Sequence, residues 1–282
     1  MCWIVNGSMQ ANTVPERDLA ALRALKDWIE THTGIYYRHE SQYILYCRLI
    51  QLCLKLNFKG LEALLQELRS GQNPQLSLSI AQYVSTTHTH FFREPESLDY
   101  FEQHILPEIR QNGQVRIWST ASSSGEEAYS LAICLAEKYG LQTVVNNFQI
   151  LGTDINAHVI RHAELGIYHS DRMNDIPPAL KEKYFKAVGM NQYQILPELR
   201  QICTFRRFNL QSEEWPFRNK FHVSFCRNVL YYFQKQQQNQ VINKIYDHIS
   251  PQGYLITSVT ESLSQMITPW VMLRPAIYQK QV

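Results

Sequence analysis

Apolar positions in the first third of the chain recur with the period of a helix. Leu19, Leu22, Leu25, Trp28 and Ile29 fall on one face of a predicted helix. Residues 40–58 repeat the pattern, with Ile44, Leu45, Leu49, Leu52, Cys53 and Leu56 on one stripe. A shorter segment, 60–71, is opened and closed by glycine, which suits helix boundaries. No alternation of the strand type appears between 15 and 85, so residues 1–85 are expected to form an all-helical N-terminal domain.

Beyond that point the period changes. QVRIWST (114–120) alternates as a strand does, and a serine-rich turn leads into a helical stretch, GEEAYSLAICLAEKYG (125–140). FQILGTDI (148–155) is a second strand, followed by a helix over 156–166 with Asn156 as its N-cap. FHVSFCRNV supplies a further strand, 235–249 a helix and 253–259 another strand, with 270–280 able to supply the last. Strand and helix in alternation predict a doubly wound, Rossmann-like α/β sheet over residues 86–282. Between 167 and 210 the rhythm breaks. A short helix (177–185) and two strands across a turn (192–208) point to a small antiparallel β insert at about 167–207.

Composition narrows the class. The 282 residues are 45% hydrophobic and 18% charged with a net charge of +2, which is globular and too weakly basic to argue for a nucleic-acid coat. The six cysteines, at 2, 47, 53, 134, 203 and 226, form no CxxC pair, and most read as reduced core thiols of a cytoplasmic protein. MCWIVNGSMQ lacks the basic and long apolar regions of a signal peptide, and no apolar run approaches the ~18 residues of a membrane span. No nucleic-acid partner and no membrane insertion are therefore expected, and the chain is expected to be a monomer.

Ligands of open α/β sheets bind at the carboxyl ends of the strands. The first such end is WSTASSSGEEAYS, where small residues allow close backbone approach and Glu126 and Glu127 occupy the first helical turn. Two carboxylates there disfavour a pyrophosphate and suit a ligand bearing an amino group. Asp154 closes the second strand, where an acid holds ribose hydroxyls, though a capping aspartate would look the same. Asn209 interrupts an apolar segment and reads equally as a turn asparagine. At the mouth of FHVSFCRNVLYYF, Arg227 and Asn228 leave a buried strand side by side; they bind a ligand there or pair with a structural carboxylate. TTHTHFFREPE (86–96) joins the two domains and carries Arg93, expected to face the cleft. His88 and His90 form an HxH pair without a third ligand in reach, so no metal is expected.

TGIYY, TTHTHFFRE, VRIWSTASSSGEEAYSLA, GTDIN, GIY, FNL, FCRNVLYYF and PQGYLITSVTESL, in this order, resemble the CheR family, the chemoreceptor glutamate methyltransferases that use S-adenosylmethionine. The resemblance runs over about residues 33–265. It implies an S-adenosylmethionine-dependent methyltransferase sheet, with S-adenosylhomocysteine as product. Thr87, Thr89 and Arg93 then match linker residues that close over the cofactor, with Arg93 reaching the reaction centre. Glu127, with Glu126 beside it, matches the acid of the first loop, and Asp154 the acid after the second strand. Asn209 and Leu210 match the adenine side, Arg227 and Asn228 the fourth strand end, and Tyr232 the tyrosine beside the transferred methyl. The implied partners are cytoplasmic helices of methyl-accepting chemoreceptors, with a receptor C-terminal tail as a second contact at the insert, as in some members. Residues 35–60 offer Arg38, Arg48, Lys55 and Lys59 against Glu40 as a thin basic face. Two other readings stand beside this one: a methyltransferase with another protein or nucleic-acid acceptor, and a cofactor-binding module without turnover.

Overall fold

The structure, a computed structural model, describes residues 13–110 and 113–281. Cys2 and the MCWIVNGSMQ segment lie outside the described residues. The chain divides into two compact units, Met1–Ser85 and Thr86–Val282.

The first unit holds α1 (Leu19–Thr33), α2 (Gln42–Lys55), α3 (Leu61–Ser70) and α4 (Pro74–Val84). α1 buries Leu22, Leu25 and Ile29, spaced three and four residues apart, and ends where Gly34 turns left-handed at φ 78°. α4 starts with Pro74 at a position where the missing N–H costs nothing, and Asn73 accepts from the Gln75 N–H at 3.1 Å. Three expected stripe positions are corrected: Leu19, Ile44 and Leu56 are exposed. On α2 the buried stripe is Leu45, Leu49, Leu52 and Cys53; Ile44 sits one residue, about 100°, away from it, and Leu56 lies past the helix end. Arg48 is also withdrawn from the basic face, since its Nη1 donates to the Val84 carbonyl at 2.6 Å and to the Tyr37 hydroxyl at 2.7 Å.

The second unit is built on a seven-stranded sheet of order β6-β2-β1-β7-β8-β10-β9. Its strands are β1 (Val115–Ser119), β2 (Phe148–Asp154), β6 (Cys203–Arg207), β7 (Phe221–Cys226), β8 (Ile249–Thr257), β9 (Val271–Arg274) and β10 (Ile277–Gln279). The first five pair in parallel, and β10 and β9 close one edge antiparallel. The chain runs from β1 outward to β2 and β6, then returns to β7 and β8 on the other side of β1. The reversal beside β1 is the switch point that opens a crevice at the carboxyl ends.

Alternation across β1 supplies both layers. Ile117 packs in a core with Leu131 and Leu135 of α7 (Glu126–Tyr139), while Trp118 packs in a second core with Val241 and Ile245 of α12 (Lys235–His248). Helix α9 (Ala157–Leu165) follows β2, and Asn156 caps it as expected, accepting from His158 and Val159.

The insert differs from expectation. β3 (Ile167–His169), β4 (Phe185–Gly189) and β5 (Gln192–Ile195) form an antiparallel sheet of order β3-β5-β4. The two strands expected across a turn at 192–208 belong to different sheets. Helix α11 (Pro197–Ile202) separates them, and β6 pairs in parallel with β2, Ile150 opposite Cys203 through Asp154 opposite Arg207. Among the described residues no helix is long and apolar enough to cross a membrane, and the five described cysteines are free thiols.

Candidate active site

Four strand ends converge: Ser119 on β1, Asp154 on β2, Cys226 on β7 and Thr257 on β8. The loop after β1 is folded onto its neighbours by its own backbone. Thr120 N–H donates to the Phe225 carbonyl at 2.9 Å and Ser122 N–H to the Thr153 carbonyl at 2.8 Å. Gly152 lets the loop come this close, because a Cβ there would stand 2.8 Å from Ser122 Oγ and 2.5 Å from the Phe205 ring. Ser123, left-handed at φ 48°, donates its N–H to Asp154 Oδ2 at 3.0 Å, and the Asn156 N–H reaches Oδ1 at 2.9 Å. Asp154 therefore has its carboxyl fixed by backbone N–H groups of Ser123, Ile155 and Asn156. Burial pushes its pKa up to about 6 against the pull of these N–H groups.

The Arg227 side chain is 2% exposed and stands between two carboxylates, with Nη1 3.1 Å from Glu127 Oε2 and Nη2 3.3 Å from Glu94 Oε2. Nη2 also donates to the Arg93 carbonyl. Glu127 is held on its other oxygen by Ser119 Oγ at 2.6 Å. Burial pushes the Glu127 carboxyl up, and Arg227 opposes this. Asn228 is left-handed at φ 56° and donates Nδ2 to Ser258 Oγ at 3.1 Å and to Glu94 Oε1 at 3.3 Å. Buried Glu261 fixes this turn by accepting the N–H groups of Asn228 at 2.6 Å, Leu230 at 2.7 Å and Tyr231 at 3.4 Å.

Arg93 is half-buried and donates Nη1 to the His88 carbonyl at 3.2 Å. Tyr232 accepts from the Tyr231 hydroxyl at 3.2 Å. Burial raises the Tyr231 phenol, the Tyr232 hydroxyl adds to this, and the Arg93 cation opposes it, which puts Arg93 within electrostatic reach of the tyrosine pair. Thr87 and Thr89 enter through their carbonyls, accepting from Ser123 Oγ at 3.1 Å and from Arg172 Nη2 at 3.3 Å. Asn209 forms a turn beyond β6, its Oδ1 accepting from Gln211 N–H at 3.0 Å, and Leu210 is buried in the core that holds Trp118.

One expectation is overturned. Glu126 does not face the crevice beside Glu127. It is fully buried, 2.5 Å from Arg172 Nη2 and 2.7 Å from Ser124 Oγ. Successive helical residues point about 100° apart, so one acid of the pair turns to the crevice and the other to the insert. Arg172 carries no signal in its local sequence, and Glu94 and Glu261 enter only as parts of TTHTHFFRE and PQGYLITSVTESL.

The chain matches two family models: CheR methyltransferase, SAM binding domain, over residues 87–275, and CheR methyltransferase, all-alpha domain, over residues 20–78. It belongs to the CheR methyltransferase family. A chemotaxis protein methyltransferase of Borreliella burgdorferi is 33% identical over 255 residues, covering 88% of this chain and 89% of that protein. One from Vibrio parahaemolyticus is 29% identical over 280 residues, covering 96% and 99%. Chemotaxis protein methyltransferase 1 of Vibrio cholerae is 30% identical over 258 residues, covering 90% and 94%. This CheR protein is thus a chemotaxis methyltransferase, and its cofactor is S-adenosylmethionine.

The crevice fits that cofactor. Arg227 Nε and Ser122 Oγ are buried without a hydrogen-bond partner, a donor and a hydroxyl suited to a ligand carboxylate. The Glu127 and Asp154 carboxylates are acceptors of the kind that an ammonium and vicinal hydroxyls require.

Proposed function

We propose that this protein methylates glutamate side-chain carboxylates of methyl-accepting chemoreceptors, converting them to glutamyl methyl esters. The state of Arg93 carries this reading. Among the described residues no carboxylate is paired with its guanidinium, whereas Arg227, bonded to the Arg93 carbonyl, is matched by two. A half-buried cation without a counter-anion suits an anionic acceptor. Glutamate, with a pKa near ~4.3, already arrives as a nucleophile at neutral pH, so the site need not remove a proton.

Bound S-adenosylmethionine supplies a methyl group activated by a sulfonium. In this reading Asp154 accepts from the ribose hydroxyls, and Glu127 and Arg227 meet the amino and carboxylate groups. Asn228 joins them at the strand end, while Asn209 and Leu210 border the adenine. Thr87 and Thr89 hold the linker over the loop through their carbonyls. Arg93 and Tyr232 orient one acceptor oxygen and leave the other free to attack. Too tight a grip by Arg93 would stabilise the ground state, so its contribution is positioning. The helical unit is the contact for the receptor's cytoplasmic helices, and the small sheet offers a second contact for a receptor tail.

The test is incubation with a receptor cytoplasmic fragment and mass spectrometry of its peptides. A methyl gain on glutamate supports the proposal. Methylation confined to other side chains, or cofactor binding without transfer, overturns it.

A further inference from the structure

Two residues around Arg93 take a backbone conformation that L side chains seldom adopt: Phe92 at φ 53° and Glu94 at φ 54°. A turn of this kind persists only where surrounding bonds over-determine it. On one side, the Phe92 N–H is tied to Ser130 Oγ at 2.9 Å, and that hydroxyl donates to the Glu126 carbonyl at 2.7 Å. On the other side the tie is Glu94.

Glu94 stands at the N-cap position of α5 (Pro95–Tyr100), yet its side chain does not cap that helix. It reaches instead to two strand ends. Oε1 accepts from Ser258 Oγ, after β8, at 2.9 Å and from Asn228 Nδ2, after β7, at 3.3 Å. Oε2 is 3.3 Å from Arg227 Nη2, the same nitrogen that donates to the Arg93 carbonyl. A single carboxylate thus fastens the Arg93 turn to the ends of β7 and β8. Charge balance for Arg227 does not call for it, because Glu127 already pairs with that guanidinium at 3.1 Å. What Glu94 adds is the join between the turn and the sheet.

We propose that Glu94 is a positioning residue for methyl transfer, holding the Phe92–Glu94 turn so that the Arg93 guanidinium stands where an acceptor carboxylate meets it. This rests on the role of Arg93 given above. Loss of the tie displaces Arg93 without removing it, and a displacement of about 1 Å is enough to cost roughly 100-fold in rate.

The experiment compares Glu94→Ala, Arg93→Ala and the double variant in the full chain. It reads kcat and KM on a receptor cytoplasmic fragment, Kd for S-adenosylhomocysteine by calorimetry, and the melting curve. Glu94→Ala is expected to lower kcat about 100-fold while Kd changes less than about 10-fold, and the double variant to match Arg93→Ala within about 3-fold. Wild-type kcat in Glu94→Ala beside a depressed Arg93→Ala overturns this inference and leaves the Arg93 reading standing. Wild-type kcat in Arg93→Ala overturns the reading beneath it. Losses that multiply in the double variant also overturn the inference, since Glu94 would then act independently of Arg93. Should Glu94→Ala melt below the assay temperature, Glu94→Gln takes its place. Its amide oxygen can still accept from Ser258 and Asn228, so a loss of about 10-fold that does not multiply with Arg93→Ala is expected, and a multiplying loss refutes.

Discussion

Replacing Arg227 with methionine is the most informative single perturbation of the site. The substitution keeps much of the volume and removes the charge between Glu127, at 3.1 Å, and Glu94, at 3.3 Å. At an effective dielectric of ~20, each contact is worth about 5 kcal/mol of gross Coulomb attraction. Most of that is spent on desolvation, and removing one partner from a buried pair costs about 3–5 kcal/mol. For a unit of roughly 200 residues this lowers Tm by about 10 °C. The loss should depend on pH. Burial already raises the Glu127 carboxyl, Arg227 pulls it down and Glu94 pushes it up, so removing the guanidinium raises it further. A carboxyl with a raised folded-state pKa costs stability while ionised, and that cost fades as pH falls through the folded value. The deficit between variant and wild type is therefore full at alkaline pH, above the raised folded-state value, and shrinks at acidic pH as the carboxyl takes up its proton. Melting curves at alkaline and acidic pH check this. A deficit below ~1 kcal/mol, or one unchanged between them, would refute the buried two-acid arrangement.

Three further outcomes follow from the same geometry. Asp154→Ala should raise Kd for S-adenosylmethionine by about 100-fold, while Arg93→Ala leaves it within about 3-fold; equal losses by calorimetry would reject the division of roles. In the wild type, affinity should weaken as pH drops through about 6, because a protonated Asp154 accepts fewer hydrogen bonds, and Asp154→Ala should flatten that profile. Arg172→Ala removes the half-exposed partner of buried Glu126 and should cost about 1–3 kcal/mol in denaturant unfolding, with Arg172→Ala/Glu126→Gln recovering part of it; no recovery would dissociate the two side chains.

The parallel core of the sheet was legible because its strands are buried on both faces and read as apolar runs, as in FHVSFC, whose six residues are all buried. Strand β6 was misplaced for the opposite reason. It lies at a sheet edge with Thr204, Arg206 and Arg207 exposed, so its alternation imitates an antiparallel ribbon. The six-residue α11 before it is too short to declare a helical period. At the crevice, strand-end positions pointed to Glu127, Asp154, Arg227 and Asn228 because a polar residue after a buried run needs a partner. Which partner was not legible. Arg227 finds Glu94 across 133 residues and Asn228 finds Glu261 across 33, distances in sequence over which no local pattern extends. Adjacent acids in one turn look alike on paper, and only packing separates Glu126 from Glu127.

The central claim is transfer to a carboxylate oxygen, and the chemistry of the bond formed tests it most directly. Receptor-containing membranes are incubated with this protein and cofactor carrying a tritiated methyl group, then treated with mild base. A glutamyl methyl ester releases its label as volatile methanol, and that release is the expected result. Label that stays on the protein through the same treatment would contradict the account.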